Sequence, residues 1–149
     1  MSGTGKSTVI GELRRLGFKS VDTDWDPEWE QPPAKAGDGP GWLWREDRIE
    51  QLLDTEDAEA LFVSACVENQ SRFHLRFDHV VLLTASPALT RERLAGRTTN
   101  PYGHSPHEVS EVLRFKASVE PQLRRAATVE IDSAAPLDEI VGRLVSLVR

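Results

Sequence analysis

The first eight residues constrain the fold of this chain more than any other segment. They read MSGTGKST, which fits the pattern G-x-x-x-x-G-K-[ST] with Gly5, Lys6 and Ser7 in its last three required places. Glycines let the backbone take a positive φ, so that successive N–H groups point into one small volume. An apolar run suited to a helix follows from Val9 to Leu16 and adds its N-terminal dipole. The expected buried side of this helix is Val9, Ile10, Leu13 and Leu16. The segment therefore predicts a loop that binds the phosphates of a nucleotide.

The residue types within this loop divide the work of holding a nucleotide. Lys6 is expected to reach the outer phosphates as a point charge, and the Ser7 hydroxyl is placed to bind Mg²⁺. The expected cofactors are therefore ATP and Mg²⁺. The remaining members of the predicted cofactor-binding loop are Ser2, Gly3, Thr4, Gly5 and Thr8.

The opening glycine of the pattern would lie one residue before Met1, and a buried strand normally leads into such a loop. Loss of this strand would remove apolar side chains worth roughly 1.5–3 kcal/mol each, comparable in sum with the stability of a small domain. We therefore expect roughly ten residues of the natural chain to lie upstream of Met1. An intact mass from the natural host that begins at this Met1 would contradict the expectation.

Composition limits the class of protein. The chain has 149 residues, of which 39% are hydrophobic and 28% charged, and this is typical of one soluble domain spanning residues 1–149. Its formal charge of −6 argues against a nucleic-acid partner. Cys66 is the only cysteine, which fits a reducing cytoplasm, and no apolar run is long enough to span a bilayer. We expect a cytoplasmic monomer or homodimer without a membrane partner.

Two carboxylates follow the first predicted strand. The sequence VDTDW places Asp22 and Asp24 two residues apart at the carboxyl end of this strand, the edge where doubly wound sheets bind ligands. One carboxylate can hold Mg²⁺ through its water shell, and the other can accept a proton from an attacking hydroxyl. The alternative is that both are solvated turn residues before Pro27.

Residues 25–44 have the most unusual composition in the chain. They contain all four tryptophans, and the middle, from Gln31 to Gly41, is rich in proline and glycine. This composition predicts a mobile loop. Two interpretations remain open: the indoles cover or line the site of an aromatic or apolar substrate, or they fix the loop to the domain. The tryptophans are Trp25, Trp29, Trp42 and Trp44.

Strand and helix patterns alternate along the rest of the chain. This order predicts an α/β fold, a three-layer doubly wound parallel sheet. Ser86 and Pro87 have the chemistry of a helix start, and a closing helix is expected over 137–148. The predicted strands are Phe18 to Thr23, Glu59 to Val67, His79 to Thr84 and Thr128 to Asp132.

Three arginines flank a predicted lid at residues 97–107, a segment that contains Asn100-Pro101, Gly103 and Pro106. Arg93 and Arg97 lie four apart on one face of the helix that leads into the lid, with Arg97 at the first lid position, and Arg114 lies on the helix after it. Their guanidinium groups would lie over phosphates once the lid closes. The alternative is a solvated helix face, which we favour for Arg91, Arg124 and Arg125.

These motifs together resemble the P-loop small-molecule and nucleotide kinases, the group that contains the adenylate, shikimate and gluconate kinases. VDTDW is similar to the D-T-D of shikimate kinases, which implies Asp22 near the metal and Asp24 at the acceptor hydroxyl. ERLAGR is similar to the lid entrance of adenylate kinases, which implies that Arg93 packs on adenine and Arg97 contacts phosphates.

The last part of the chain carries the same resemblance. VEIDSAAPLDEIV is similar to the shikimate-kinase ending, which implies that Arg114 contacts substrate and that Ser133 to Pro136 lie on the adenine side. Arg45, after a tryptophan, is similar to that family's F-R pair and implies a substrate contact. The G-G-G of shikimate kinases is replaced by SACVENQ, which argues against shikimate as the acceptor.

The resemblance implies an ATP- and Mg²⁺-dependent kinase that transfers a γ-phosphoryl group to a hydroxyl of a small molecule. The alternatives are a nucleoside or nucleotide monophosphate kinase, a non-catalytic ATP-binding regulatory protein and, more weakly, a polynucleotide end kinase. The residues expected to act in catalysis are Lys6, Asp24, Arg97 and Arg114.

Overall fold

Helices and strands alternate along much of the chain as the sequence predicts, but two short strands, Glu30–Gln31 and Leu43–Trp44, lie in the segment predicted to be a loop. The computed structural model describes residues 4–24, 26–32, 42–96 and 104–149. In chain order the elements are α1 (Lys6–Arg15), β1 (Lys19–Asp22), β2 (Glu30–Gln31), β3 (Leu43–Trp44), α2 (Glu46–Asp54), β4 (Leu61–Ser64), a 3₁₀ helix (Glu68–Arg76), β5 (Val81–Thr84), α3 (Pro87–Ala95), α4 (Pro106–Ala126), β6 (Val129–Asp132) and α5 (Leu137–Leu147).

Local chemistry sets the ends of the helices. Ser86 caps α3 because its Oγ accepts a hydrogen bond from the backbone N–H of Leu89, and proline follows as the first helical residue. Ser105 and Glu108 form a reciprocal capping box at the start of α4. These ends need only a few neighbouring residues. The start of α3 is as predicted, whereas Pro106 and His107, which are predicted to belong to the lid, open α4.

Gly17 ends α1 in the left-handed region, with φ of +93°. The N–H of Gly17 donates to the carbonyl of Arg14, and the N–H of Phe18 donates to that of Leu13, which is the Schellman arrangement. Val9, Ile10 and Leu13 are buried as expected. The expectation of a buried Leu16 is wrong, because this last side chain before the turn is 49% exposed.

The two glycines of this region allow a matched test. Gly17→Ala is expected to lower the free energy of unfolding by about 1–2 kcal/mol, because an L side chain is strained at positive φ. Gly11→Ala, on the exposed side of α1 with nothing near its added methyl, is expected to raise it by up to about 1 kcal/mol. Urea unfolding measures both, and equal effects would contradict the assignment.

The chain divides into two compact units. The first unit consists of the residues before Ser7 together with 79–147 and Arg149, and the second consists of 7–78 and Val148. In the first unit, β5 and β6 pair in parallel, with Thr84 opposite Asp132 at their carboxyl ends. Its buried hydrophobic side chains are Leu82, Ala85, Leu94, Val112, Ile131, Ile140, Val141 and Leu144.

The second unit contains two short sheets. β1 and β4 pair in parallel with Asp22 opposite Ser64, and β2 and β3 pair antiparallel with Glu30 opposite Trp44. Trp44 packs edge-on against Phe73, with ring centroids 5.7 Å apart. The cluster around them contains Ile49 and Val67, with Trp29, Leu53, Val63, Ala65 and Phe77 packed against it.

Short parallel sheets with intervening helices agree with an α/β fold. Within the described ranges, the strands form three two-stranded sheets, so the three-layer doubly wound sheet stays a prediction. No helix in the described ranges combines the length and hydropathy that crossing a bilayer requires.

Candidate nucleotide and metal site

The described part of the loop has the backbone expected of a phosphate cradle. Gly5 adopts φ of +88°, Thr4 is buried, and α1 begins at Lys6. The positive φ, rather than a lack of space, requires glycine at position 5, because an added Cβ would lie an ordinary 3.5 Å from Arg93 Nη1. Ser2 and Gly3 lie outside the described residues.

Arg93 lies beside this loop and is fixed by Ser133. Its Nη1 donates to Ser133 Oγ at 2.8 Å, and its Nη2 donates to the Ser133 carbonyl at 2.6 Å. Ser133 is 3% exposed, so the residue that anchors the guanidinium is itself well held. Three predicted cofactor-binding residues, Gly5, Arg93 and Ser133, are thereby brought together within the first unit.

Ser7 and Asp22 meet in the second unit. Ser7 Oγ donates a hydrogen bond to Asp22 Oδ2 at 2.6 Å. The other oxygen, Oδ1, accepts from the backbone N–H of Asp24 at 3.3 Å, which holds the carboxylate at the end of β1. Residues 15 apart in sequence are thus brought into contact, as expected of two groups that serve one metal ion.

This pair of oxygens fits the coordination preference of Mg²⁺. Mg²⁺ takes hard oxygen ligands and usually keeps several waters and phosphate oxygens beside one or two protein groups. Within the described residues there is no cluster of three or more His, Cys, Asp or Glu side chains that would form an all-protein metal cage. A hydroxyl and a carboxylate are therefore a suitable donor set.

Ser64 is a candidate site residue that sequence reasoning missed. It lies opposite Asp22 in the parallel ladder, so both side chains project from the same face of the sheet. Its carbonyl accepts from the backbone N–H of Thr23 at 3.0 Å and from Thr23 Oγ1 at 2.9 Å. Its own buried Oγ has no hydrogen-bond partner within the described residues. A polar residue at the end of an apolar strand was the available signal.

Ser64→Ala is expected to leave the free energy of unfolding unchanged or raise it by up to about 1 kcal/mol, because no hydrogen bond is lost. Thr90→Val is the matched control, since Thr90 Oγ1 in α3 is also buried without a partner in the described ranges. Chemical denaturation measures both. A loss above about 1 kcal/mol in Ser64→Ala would show a structural bond that this account omits.

Arg45 is held against the segment that follows Asp24. Its Nη1 donates to the Pro27 carbonyl at 3.2 Å, and its backbone N–H donates to the Trp29 carbonyl at 2.7 Å. Asp24 is half-buried two residues beyond Asp22. The substrate contacts of Asp24 and Arg45 stay predictions.

Trp44 fixes its segment to the second unit and does not line an open surface. It is 4% exposed, and its Nε1 donates to Thr23 Oγ1 at 2.9 Å. Asn69 holds its backbone from the other side, accepting from the Trp44 N–H and donating to the Trp44 carbonyl, both at 2.9 Å. The fixing interpretation is therefore confirmed for Trp44. Trp25 and most of the proline-rich stretch, 33–41, lie outside the described residues.

The site roles of the remaining predicted residues stay predictions. Arg97 and most of the predicted lid lie outside the described residues. Arg114 is exposed on α4, and Thr8 is exposed on α1. Pro136 precedes α5, where its carbonyl accepts from the N–H groups of Glu139 and Ile140. Three arginines were expected on a solvated helix face, and all three are exposed: Arg91, Arg124 and Arg125.

Comparison with known proteins adds the family. No curated protein matches the chain significantly. The sequence profile of a family described as AAA domain matches residues 1–114, which is well over half of the chain. That family comprises P-loop NTPase-related domains, in agreement with the loop geometry at Gly5 and Lys6. The chain therefore belongs to the AAA-domain family of nucleotide-binding P-loop domains.

Proposed function

We propose that this protein is an ATP- and Mg²⁺-dependent phosphotransferase that moves the γ-phosphoryl group to a hydroxyl of a small molecule. The observation that carries the proposal is the 2.6 Å hydrogen bond from Ser7 Oγ to Asp22 Oδ2. It joins the hydroxyl of the loop to the first carboxylate of the VDTD segment, and the backbone of the second carboxylate, Asp24, is bonded to the same group. Nucleotide binding alone does not require a second carboxylate there.

The nucleotide is held by residues of the loop and by Arg93. Backbone N–H groups around Gly5 and the start of α1 bind the phosphates, and Lys6 places its ammonium on the outer ones. The bonds from Arg93 to Ser133 fix a guanidinium beside the loop, where it packs on the base. Ser7 and Asp22 would hold Mg²⁺, which would supply positive charge against the phosphates.

Asp24 acts on the acceptor. Its carboxylate accepts a hydrogen bond from the acceptor hydroxyl and takes the proton as the new O–P bond forms and the bond between the γ-phosphorus and the β-bridging oxygen breaks. Lys6, Arg97 and Arg114 stabilise the charge that spreads over the transferred group. Arg45 positions the acceptor.

The role of Asp24 separates acceptor classes, because a phosphate acceptor needs no carboxylate base. Asp24→Asn is expected to lower kcat/KM for a hydroxyl acceptor by about 10²–10⁴-fold and to spare transfer to a nucleoside monophosphate. ADP release is measured with sugar acids, polyols and nucleosides, beside AMP and CMP.

Asp26→Asn is the control for this experiment. Asp26 Oδ1 accepts from the Glu28 N–H at 2.9 Å, and an asparagine keeps that acceptor, so activity should stay within about threefold of wild type. Full activity of Asp24→Asn on a hydroxyl acceptor would show that the role given to Asp24 is wrong. ATP binding without transfer to any acceptor would favour the regulatory alternative.

A further inference from the structure

The first unit contains a cavity of about 420 Å³ that the proposed phosphotransferase site does not use. It lies at the carboxyl ends of β5 and β6, against one face of α4. This volume falls in the range of small-molecule sites. The lining consists of Thr84, Ala85, Ser86, Pro87, Leu113, Lys116, Ala117, Glu120 and Asp132.

Lys116 is the unusual member of this lining. It is 5% exposed, and its Nζ donates to Glu120 Oε2 at 2.7 Å. An ammonium group carries three donors, and within the described residues the other two have no hydrogen-bond partner. A buried charge with unused donors is costly, and an apolar residue at such a position is often neutral or more stabilising. In an open cavity, water or a bound ligand can take up such donors.

Glu120 already accepts hydrogen bonds from two cationic side chains, so its charge is compensated within the protein. Its Oε2 accepts from Lys116, and its Oε1 accepts from Arg124 Nη2 at 2.8 Å. Burial would raise the pKa of the Glu120 carboxyl, but hydrogen bonds and charges from Lys116 and Arg124 outweigh it and lower the pKa. The group therefore stays ionised near neutral pH with both oxygens bonded.

Asp132 supplies the other carboxylate of the lining. It is exposed at the end of β6, and its Oδ1 accepts from the Ala134 N–H at 2.9 Å. Its Oδ2 has no hydrogen bond among the described residues. The lining thus offers one cation with spare donors and one carboxylate with a spare acceptor, with apolar surface from Leu113 and Ala117.

We propose that this cavity binds a small amphoteric molecule of amino-acid type. The ligand carboxylate accepts hydrogen bonds from Lys116 Nζ, the ligand ammonium donates to Asp132, and an apolar side chain packs on Leu113. A molecule with only one of the two charged groups leaves either Lys116 or Asp132 without its partner. A polyanion meets two carboxylates in the same lining and is disfavoured.

Isothermal titration calorimetry in the absence of nucleotide tests the proposal with three probes that share one apolar body. The probes are L-leucine, which has both charges, 4-methylpentanoate, which has the carboxylate, and 3-methylbutylamine, which has the ammonium. Leucine is expected to bind at least about tenfold more tightly than either of the others.

Variants of the two charged residues assign the contacts. Lys116→Met should weaken leucine binding at least about tenfold and remove its advantage over the amine, with Glu120 still bonded to Arg124. Asp132→Asn keeps the acceptor for Ala134 and should remove the advantage of leucine over the carboxylate. Arg125→Met, on the exposed side of α4, should leave every affinity unchanged.

Three results would overturn the proposal. They are equal binding of the three probes, no binding of leucine at about 10 mM, and leucine binding that neither Lys116→Met nor Asp132→Asn alters. Displacement of leucine by Mg²⁺-ATP would also overturn it, because none of the proposed nucleotide-binding residues lines this cavity. The calorimetric result does not depend on phosphoryl transfer, so it stands or fails separately from the proposed function.

Discussion

Lys6→Ala is expected to abolish the rise in melting temperature that Mg²⁺-ATP gives to the wild-type protein. A ligand that binds only the folded state stabilises it by about 2.7 kcal/mol at a concentration of 100 times Kd. Lys6 opens α1 directly after the positive-φ glycine, so its ammonium belongs to the segment that surrounds the phosphates. Its removal should also lower phosphoryl transfer by about 10³-fold or more.

Lys19→Ala is the matched control for this experiment. Lys19 also lies in the first 20 residues, but its Nζ pairs with Asp57 on the surface of the second unit. Such a pair contributes roughly 0–1 kcal/mol, and the variant should keep the full ligand-dependent rise. A thermal melt with and without Mg²⁺-ATP measures all three proteins. A rise that persists in Lys6→Ala would show that the loop does not hold the phosphates.

The parts of the site that the sequence predicts are those that local chemistry decides. The positive φ of Gly5, the helix that begins at Lys6 and the cap at Ser86 depend on a few neighbouring residues. The placement of Asp22 at a strand end follows from an apolar run that stops there. The hydrogen bond from Ser7 to Asp22 agrees with this placement, because the carboxyl ends of parallel strands form the edge of the sheet where ligands bind.

The parts that the sequence does not predict depend on distant partners. Trp44 lies 21 residues from Thr23 and 25 residues from Asn69, and only these contacts show that it fixes its segment in the core. The same holds for β2 and β3, two-residue strands that leave almost no pattern in a stretch rich in proline. Ser133 holds Arg93 from 40 residues away, which no local periodicity encodes.

Glu120→Ala is expected to lower the free energy of unfolding by about 3–5 kcal/mol. Lys116 is almost fully buried, and Glu120 is the partner of its ammonium. Removal of the carboxylate takes away the ion-pair partner of this ammonium, and also frees Arg124, whose pKa is raised by hydrogen bonds to Glu130 and Glu120. Urea unfolding measures the change.

Two further variants show whether the buried charge causes this loss. Glu111→Ala removes an exposed partner of His107 on the same helix and should cost less than about 0.5–1 kcal/mol. The double variant Lys116→Met with Glu120→Leu should recover most of the stability, because neither charge then remains buried. A double variant as unstable as Glu120→Ala would show that lost packing, not charge, causes the effect.

The ion pair of Lys116 and Glu120 also makes the stability of the protein depend on pH. The folded-state pKa of Glu120 lies below the ordinary value of 4.5, so the unfolded chain binds a proton at this residue more readily than the folded protein does. The stabilisation is therefore complete above the unfolded pKa and is lost as the pH falls through the folded pKa. Between about pH 5 and pH 3, wild type should lose more stability than the double variant, which has no carboxyl at position 120. Parallel pH profiles of the two proteins across this range would contradict the assignment of the shift to the pair of Lys116 and Glu120.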